Sequence, residues 1–507
     1  MKTYQINILA SAFALLTLGA CSDSFLEIKP KGTNLEANYY QNQQEAYNGL
    51  VAVYDVVGWQ GGGFVTKQNA LNAASDDHYA GGGGPTDITA LQVWSNYTLD
   101  PSTGPQGELW RKGFSGVFRA NVLLQKLPGV PMDENLKARY AAETKFLRAY
   151  FYFDLVRFFE NIPLLTEPVS TSEMYNVLQA EPSAVFQQIE TDLKEAIENL
   201  PASIDLATEA GRATIGMGRA LLGKVYLHQE KFDLAAQEFA AVNGTPGETS
   251  QYGYQLLDNF GDLWVVDNKF NSESIFEINF TSQSNGDWGC VACTEGNVLN
   301  IMVGPRGYNA ISDDAPDYVS GWSFLPFTEN FFDAIHGDPR YKYTLANLDS
   351  LEKAGAVTYE KGYMNTGYFL EKYAGRQSGR STGGGVMELN FRQNIYEIRL
   401  ADTYLMEAEA LVRGGGNQGR AQQLLDAVRA RVGLAPIPAN FENIMEERRL
   451  ELAGEGHRWF DLVRTGLAAQ ALADRGFVAG KHEILPIPLL ELDNTLIEQN
   501  QEYGGTK

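Results

Sequence analysis

The stretch RALLGKVYLHQEKFDLAAQEFAAV, residues 219–242, decides the fold. Its Leu222-Gly223, Tyr226, Ala235 and Phe239 reproduce the spacing of a tetratricopeptide helical hairpin. Gly223 and Ala235 are small where two helices would cross, and Tyr226 and Phe239 are large enough to fill the groove between them. A lone hairpin cannot bury its own apolar face, so several are expected to stack. A second hairpin is expected at 395–431, turning at Gly414-Gly415-Gly416.

Working outward, Leu136, Tyr140, Thr144, Leu147, Phe151, Leu155 and Phe158 recur at three or four, which predicts a helix with one buried face, stopped at Pro163. Pro182 opens another such run, Val185, Ile189, Leu193, Ile197 and Leu200, closed by Pro201. The interval 243–325 is different: rich in Gly, Asn, Asp and aromatics, with one strand expected at Ser274–Phe280. Long irregular segments of this kind usually carry function.

The 507 residues are enough for a large core, and 44% hydrophobic content marks a globular chain. A formal net charge of -23 argues against nucleic acid as a partner and against electrostatic attachment to anionic lipid. The 25 Tyr and 26 Phe are more than a core alone tends to use and suggest aromatic surfaces with a task.

At the start, Lys2 precedes an apolar stretch from Ile6 to Leu18 and then Leu18-Gly19-Ala20-Cys21. A membrane span needs about 20 apolar residues, so this is a secretory segment. Its end resembles a lipobox, with Cys21 as the lipidated residue. We therefore expect a signal peptide at 1–20, a lipid-bearing tether at 21–35 and a water-soluble body at 36–507 anchored by acyl chains. Cys290 and Cys293 are the other two cysteines. In an exported chain they read as a short disulfide. Redox chemistry would need a strand-to-helix context, and zinc would need further ligands nearby.

Two patterns mislead. Gly379-Arg380-Ser381-Thr382-Gly383 fits a nucleophile elbow without the preceding strand, and Gly414-x-Gly416-x-x-Gly419 fits a dinucleotide fingerprint but follows a helix. The densest charged constellation runs from Glu446 to Arg464, with Arg448, Glu451, Glu455, Arg458, Asp461 and Arg464 at spacings of three and four. We read it as a ladder of ion pairs tying helices together, because each carboxylate has an arginine neighbour that keeps it ionised.

The same stretch resembles the signature E-R-R-x-E-L-x-x-E-G-x-R-x-x-D-L-x-R of the SusD/RagB family. In order along the chain, Ala141–Arg157, Ile398–Ala410, Val428–Leu434, Leu485-Pro486-Ile487-Pro488 and Gln499-Asn500 resemble further family motifs. Ala453-Gly454 departs from the aromatic common before the Glu-Gly step. The resemblance implies a mainly α scaffold of tetratricopeptide-like hairpins forming an α-superhelix, with loops and a few short strands elaborated on one side. Its N-terminal region would span about 36–242 and its C-terminal region about 273–507. It also implies an outer-membrane, cell-surface lipoprotein that binds oligosaccharide without cleaving it, takes no cofactor or metal, and pairs with a SusC-like TonB-dependent transporter.

Sugars stack on aromatic faces while amides and carboxylates take their hydroxyls. The candidate ligand residues are Asp76, Asp77, His78 and Tyr79 before Gly81–Gly84, with Trp94 and Asn96. In the second part they are Trp288, Arg306, Tyr308, Tyr318 and Trp322. Trp94 and Trp322 are favoured by the resemblance, whereas Trp59, Trp110, Trp264 and Trp459 are read as core. The rivals are a peptide-binding RagB-like member, a helical-repeat assembly scaffold, and a glycoside hydrolase using carboxylates such as Asp76, Asp77, Asp100, Asp313 or Asp314. For the anchor, Cys21→Ala is expected to shift the protein from the membrane to the soluble fraction and to abolish palmitate labelling. Retention of both would refute lipidation at this residue.

Overall fold

The computed structural model describes residues 39–60, 63–380 and 383–506. Cys21, the signal segment and the tether lie outside them. The longer helices are α1 (Gln43–Gly58), α2 (Lys67–Ala74), α3 (Thr89–Ser95), α4 (Gln106–Lys126), α5 (Glu134–Phe159), α6 (Pro182–Asn199), α7 (Ile215–His228) and α8 (Phe232–Asn243). After a loop-rich interval come α9 (Leu400–Arg413), α10 (Gln418–Arg431), α11 (Phe441–Glu451) and α12 (Arg458–Arg464). Strands are short and pair in twos; the longest are β1 (Ser274–Ile278) and β2 (Ile395–Arg399), antiparallel with Phe276 opposite Ile398.

The helices stack in sequence: α1 on α4, α4 on α5, then α6, α7, α8 and α9, with α9 closing on α10 and α11. Stacking of consecutive hairpins is what the 219–242 pattern requires. Gly223 lies where α7 meets α8, and a Cβ there would stand 2.7 Å from the Phe239 ring, so only glycine allows that approach. Tyr226, Ala235 and Phe239 are buried in the main core. α5 starts where the Asp133 side chain accepts from the Leu136 amide at 2.9 Å. It ends at Glu160, whose φ of 61° turns the chain toward Pro163.

The second hairpin is shorter than its expected bounds. Residues 395–399 pair with β1, and only 400–413 and 418–431 are helical, around Gly415 with φ of 70°. The strand at 274 stops at Ile278 rather than Phe280.

The charged constellation ties separate segments together. Gly454 and Gly456, at φ of 75° and 84°, break it into α11 and α12, and its partners come from distant segments. Arg399 Nη1 donates to Glu273 at 2.8 Å and to Glu451 at 2.7 Å, and its Nε donates to Glu455 at 2.8 Å. Arg340 Nη1 donates to Glu447 at 2.6 Å and to Glu451 at 2.9 Å. Arg431 pairs with Glu273 and Glu451, and Lys372 Nζ donates to Glu455 at 2.8 Å. Arg448 bridges Asp402 and Asp461, and Arg464 joins Asp461 to Glu409.

Burial alone would raise the Glu451 carboxyl, but Arg431, Arg399 and Arg340 outweigh it and hold it well below the usual range. Burial likewise opposes Glu455, and Arg399 and Lys372 bring it below its ordinary value.

Glu451→Gln and Glu455→Gln are each expected to destabilise folding by about 3–5 kcal/mol, the cost of stranding a buried ion-pair partner, with the ligand affinity of the folded protein unchanged. Because both carboxyls titrate below their unfolded values, this contribution is complete above about pH 5 and fades as acidity rises past the unfolded value near 4.3. Denaturant melts at several pH values should show the gap between wild type and Glu451→Gln constant from pH 5 to 7 and shrinking below that. A variant that melts normally but loses its ligand would move these carboxylates into the binding site.

Candidate functional site

The loop from 281 to 296 is closed at its base by the Thr281 amide donating to the Glu295 carbonyl at 2.8 Å. At its tip Asp287 Oδ1 accepts from the amides of Gly289 at 2.8 Å and Cys290 at 3.2 Å, which makes a tight turn. Cys290 and Cys293 form a disulfide immediately after it. The Val386 amide and Asn390 Nδ2 each donate to the Gly286 carbonyl at 3.1 Å, tying the loop to a second one. Trp288, held in this turn, is 54% exposed.

Trp322 lies on an extended segment running beside 301–305. Its amide donates to Ile301 at 2.9 Å, and those of Gly321 and Ser323 donate to Pro305 and Gly304, both at 2.8 Å. Gly321 and Gly304 touch backbone to backbone, since a Cβ on Gly321 would stand 2.5 Å from Gly304. The Trp288 and Trp322 rings are 6.1 Å apart at 31°. Phe64 stands edge-on to both, at 6.2 Å from Trp288 and 5.2 Å from Trp322. Phe64 has φ of 60° and Ser323 has φ of 61°, a backbone strain that tends to gather where function holds it in place.

Polar groups adjoin the three rings. Arg306 Nη2 donates to the Trp322 carbonyl at 3.1 Å and lies 3.6 Å from Asp87, which accepts from the Gly83 amide at 2.7 Å. Both charged side chains remain about one-third exposed, at 35% and 37%. The Gly82 amide donates to Ser323 at 2.8 Å, which binds the Gly81–Gly84 turn to the Trp322 segment. Aromatic faces beside half-exposed charged groups can stack on a sugar ring and take its hydroxyls.

Of the expected ligand residues, Trp288, Arg306 and Trp322 converge here. Phe64 and Asp87 join them although the sequence reading passed over both. The available signal was the glycine run at 61–63 directly before Phe64, which parallels the run at 81–84.

The other candidates have different places, and Trp94 is the principal correction. It lies on α3, not in a loop, and is only 1% exposed, packed edge-on against Trp459 at 5.4 Å and Phe158 at 6.1 Å. Asp76 pairs with Arg458 at 2.8 Å and Asp77 with Arg449 at 2.8 Å. Burial raises the Asp77 carboxyl to about 6 against the pull of Arg449. His78 is buried, with Nδ1 2.9 Å from the Leu325 carbonyl and its ring 4.1 Å from Phe327; burial lowers it to about 3.

Tyr79 lies under Arg475, 4.5 Å from its guanidinium, and Asn96 is exposed at the end of α3. Tyr318 is 4% exposed in a small separate core, its hydroxyl donating to Glu371, and Tyr308 stands edge-on to it at 5.3 Å. None of these side chains is among those that meet at Phe64, Trp288 and Trp322. Trp110 and Trp459 are buried, and Trp59 and Trp264 are partly buried against the core.

Residues 320–482 match the SusD family, and residues 25–227 match a family described as starch-binding, associating with outer membrane. A solved laminarin binding SusD-like protein is 56% identical, with a TM-score of 0.88 over 91% of this chain and 99% of that one. Surface glycan-binding protein A from Bacteroides thetaiotaomicron, solved in complex with laminarihexaose, is 27% identical with a TM-score of 0.79, over 89% of this chain and 97% of that one. The SusD-like protein P2 of Formosa agariphila is 26% identical over 99% of this chain and all of its own.

Trp94→Ala is expected to cost about 3–5 kcal/mol of folding stability, as a large buried aromatic should, while the folded fraction keeps its glycan affinity. Denaturant melts and titration calorimetry separate the two effects. Normal melting with lost binding would return Trp94 to the site.

Proposed function

The chain belongs to the SusD family, and we propose that it captures a laminarin-type glucan at the cell surface without cleaving it and hands it to a SusC-like outer-membrane transporter. The observation that carries this reading is the platform of Phe64, Trp288 and Trp322, with Arg306 and Asp87 beside it. The 56% identical relative named for laminarin binding supports the choice of glucan.

The platform is built for capture. Its loop is closed by the Asp287 turn and the Cys290–Cys293 disulfide, so little ordering entropy is spent when a ligand lands. Sugar C–H faces would lie on the indoles, and Arg306 would donate to hydroxyls while Asp87 accepts from them. Hydrolysis would need two carboxyls held at set separation around the bond, with one kept protonated. Asp76 and Asp77 are instead turned onto arginines of the scaffold. Among the described residues no helix is long and apolar enough to cross a membrane, and attachment through lipid on Cys21 is part of the same proposal.

In calorimetry with laminarihexaose, Trp288→Ala and Trp322→Ala are each expected to lose about 1–2 kcal/mol of binding, the loss typical of an aromatic anchor, with melting temperature unchanged. Unaltered affinity in both variants would sink the platform. Shortening of the hexasaccharide by the wild-type protein would sink the non-catalytic reading.

A further inference from the structure

The loop that carries Trp288 has a cavity at its base. It measures about 420 Å³ and opens between α1, the turn at 210–212 and the end of β1, within the range of about 300–1,000 Å³ usual for small-ligand sites. Small residues keep it open: Gly58, Ala210 and Gly211 form part of its wall, and a Cβ on Gly58 would meet nothing within 4 Å. Both ends of the loop reach it, through Asn279 just before the loop and Glu295 at its close. The Gln60 side chain binds the end of α1 to the same loop, donating to the Gly296 carbonyl and accepting from the Val298 amide at 2.7 Å.

The back of the cavity is fixed in place. Glu143 is fully buried and accepts from the Tyr54 hydroxyl at 2.7 Å and from Arg212 Nε at 3.1 Å. The Tyr54 hydroxyl in turn accepts from the Ala213 amide at 2.8 Å. Glu143 and Glu209 take up the Arg212 charge, and Leu50, Val51, Phe276 and Ile278 supply apolar walls. Such a site is formed before any ligand arrives.

Its free polar groups select the ligand. Among the described residues, the Tyr47 hydroxyl, Asn279 Nδ2 and the Glu295 carboxylate have no hydrogen-bond partner, and all three residues line the cavity. Burial and the charge of Asp55 raise the Glu295 carboxyl above its ordinary value, so two carboxylates look onto one space. An anion is repelled there. A lysine or arginine side chain only donates, which leaves Asn279 Nδ2 unmet. A sugar hydroxyl both donates and accepts, and the C–H face of its ring suits Tyr47 and the apolar walls.

We propose that this cavity is a second carbohydrate site, taking a short stretch of pyranose rings separately from the platform, so that one long glucan chain engages both. The inference rests on the glycan-binding reading above. Two sites on one chain raise the affinity for a polymer well beyond that for a fragment held at one site.

Calorimetry on the full chain compares laminarihexaose with polymeric laminarin. Tyr47→Ala and Glu295→Ala should each weaken laminarin binding at least about tenfold, with melting temperature and hexasaccharide affinity at the platform unchanged. Glu295→Ala removes a side chain without an internal partner, so it decides the matter even if Tyr47→Ala disturbs the packing on Tyr140. In the combined Trp288→Ala and Trp322→Ala protein, weak hexasaccharide binding should persist and vanish when Glu295→Ala is added. Unchanged laminarin affinity in both cavity variants, or the absence of that residual binding, overturns the second site and leaves the glycan reading standing. A wild-type chain that binds neither hexasaccharide nor polymer overturns that reading, and this proposal with it. A lysine tripeptide that binds the wild type but not Glu295→Ala shows the assigned ligand class to be wrong.

Discussion

Everything else in this protein hangs on the burial of Arg399 between Glu273, Glu451 and Glu455. All four side chains are fully enclosed, and the desolvation of each would be ruinous if any one lacked its partner. Arg340, Arg431 and Lys372 complete the pairing, so the charges are drawn together from six separate stretches of chain. Such a cluster cannot form piecemeal. It pins β2, the end of α11 and the loop leading into β1 in a single relative placement, and the helical stack closes around it.

From that knot a continuous path leads to the cluster of Phe64, Trp288 and Trp322. Arg449 at the end of α11 and Arg458 at the start of α12 hold Asp77 and Asp76. The chain just beyond is bonded to 325–328 through Tyr79 on Pro326, Leu325 on Ala80 and Thr328 on Asp77. One step further, Gly82 binds Ser323, and Trp322 follows directly. The acidic run Asp76-Asp77 therefore fixes the turn against which the Phe64–Trp288–Trp322 cluster is set.

On the outer surface, Phe64, Trp288 and Trp322 stand beside the half-exposed Arg306 and Asp87. The platform uses a few aromatic faces with half-exposed charges, which suits a neutral, hydroxyl-rich ligand reached through water. A net charge of -23 sets copies of the chain against one another by mutual repulsion.

The sequence by itself determined the helical-repeat architecture, because a small residue at Gly223 and apolar periodicity in α5 and α6 are local signals that no tertiary context reverses. The charged signature from Glu446 to Arg464 was visible as scaffold for the same reason: each carboxylate stands among arginines. Its partners were not visible. Arg340, Lys372 and Arg399 are 52 to 111 residues distant from Glu451 and Glu455, the carboxylates of that stretch they meet, and residue spacing carries no information across that gap.

The platform was half legible. Trp288, beside a short disulfide and a run of turn-forming residues, had to be near the surface. Trp94 followed by Ser-Asn looked the same, yet α3 turns it into the space between Trp459 and Phe158. Burial is a property of what packs on a residue from elsewhere in the chain. Only the tertiary structure could decide which tryptophan was core, and bring in Phe64 and Asp87 from segments more than two hundred residues earlier in the chain.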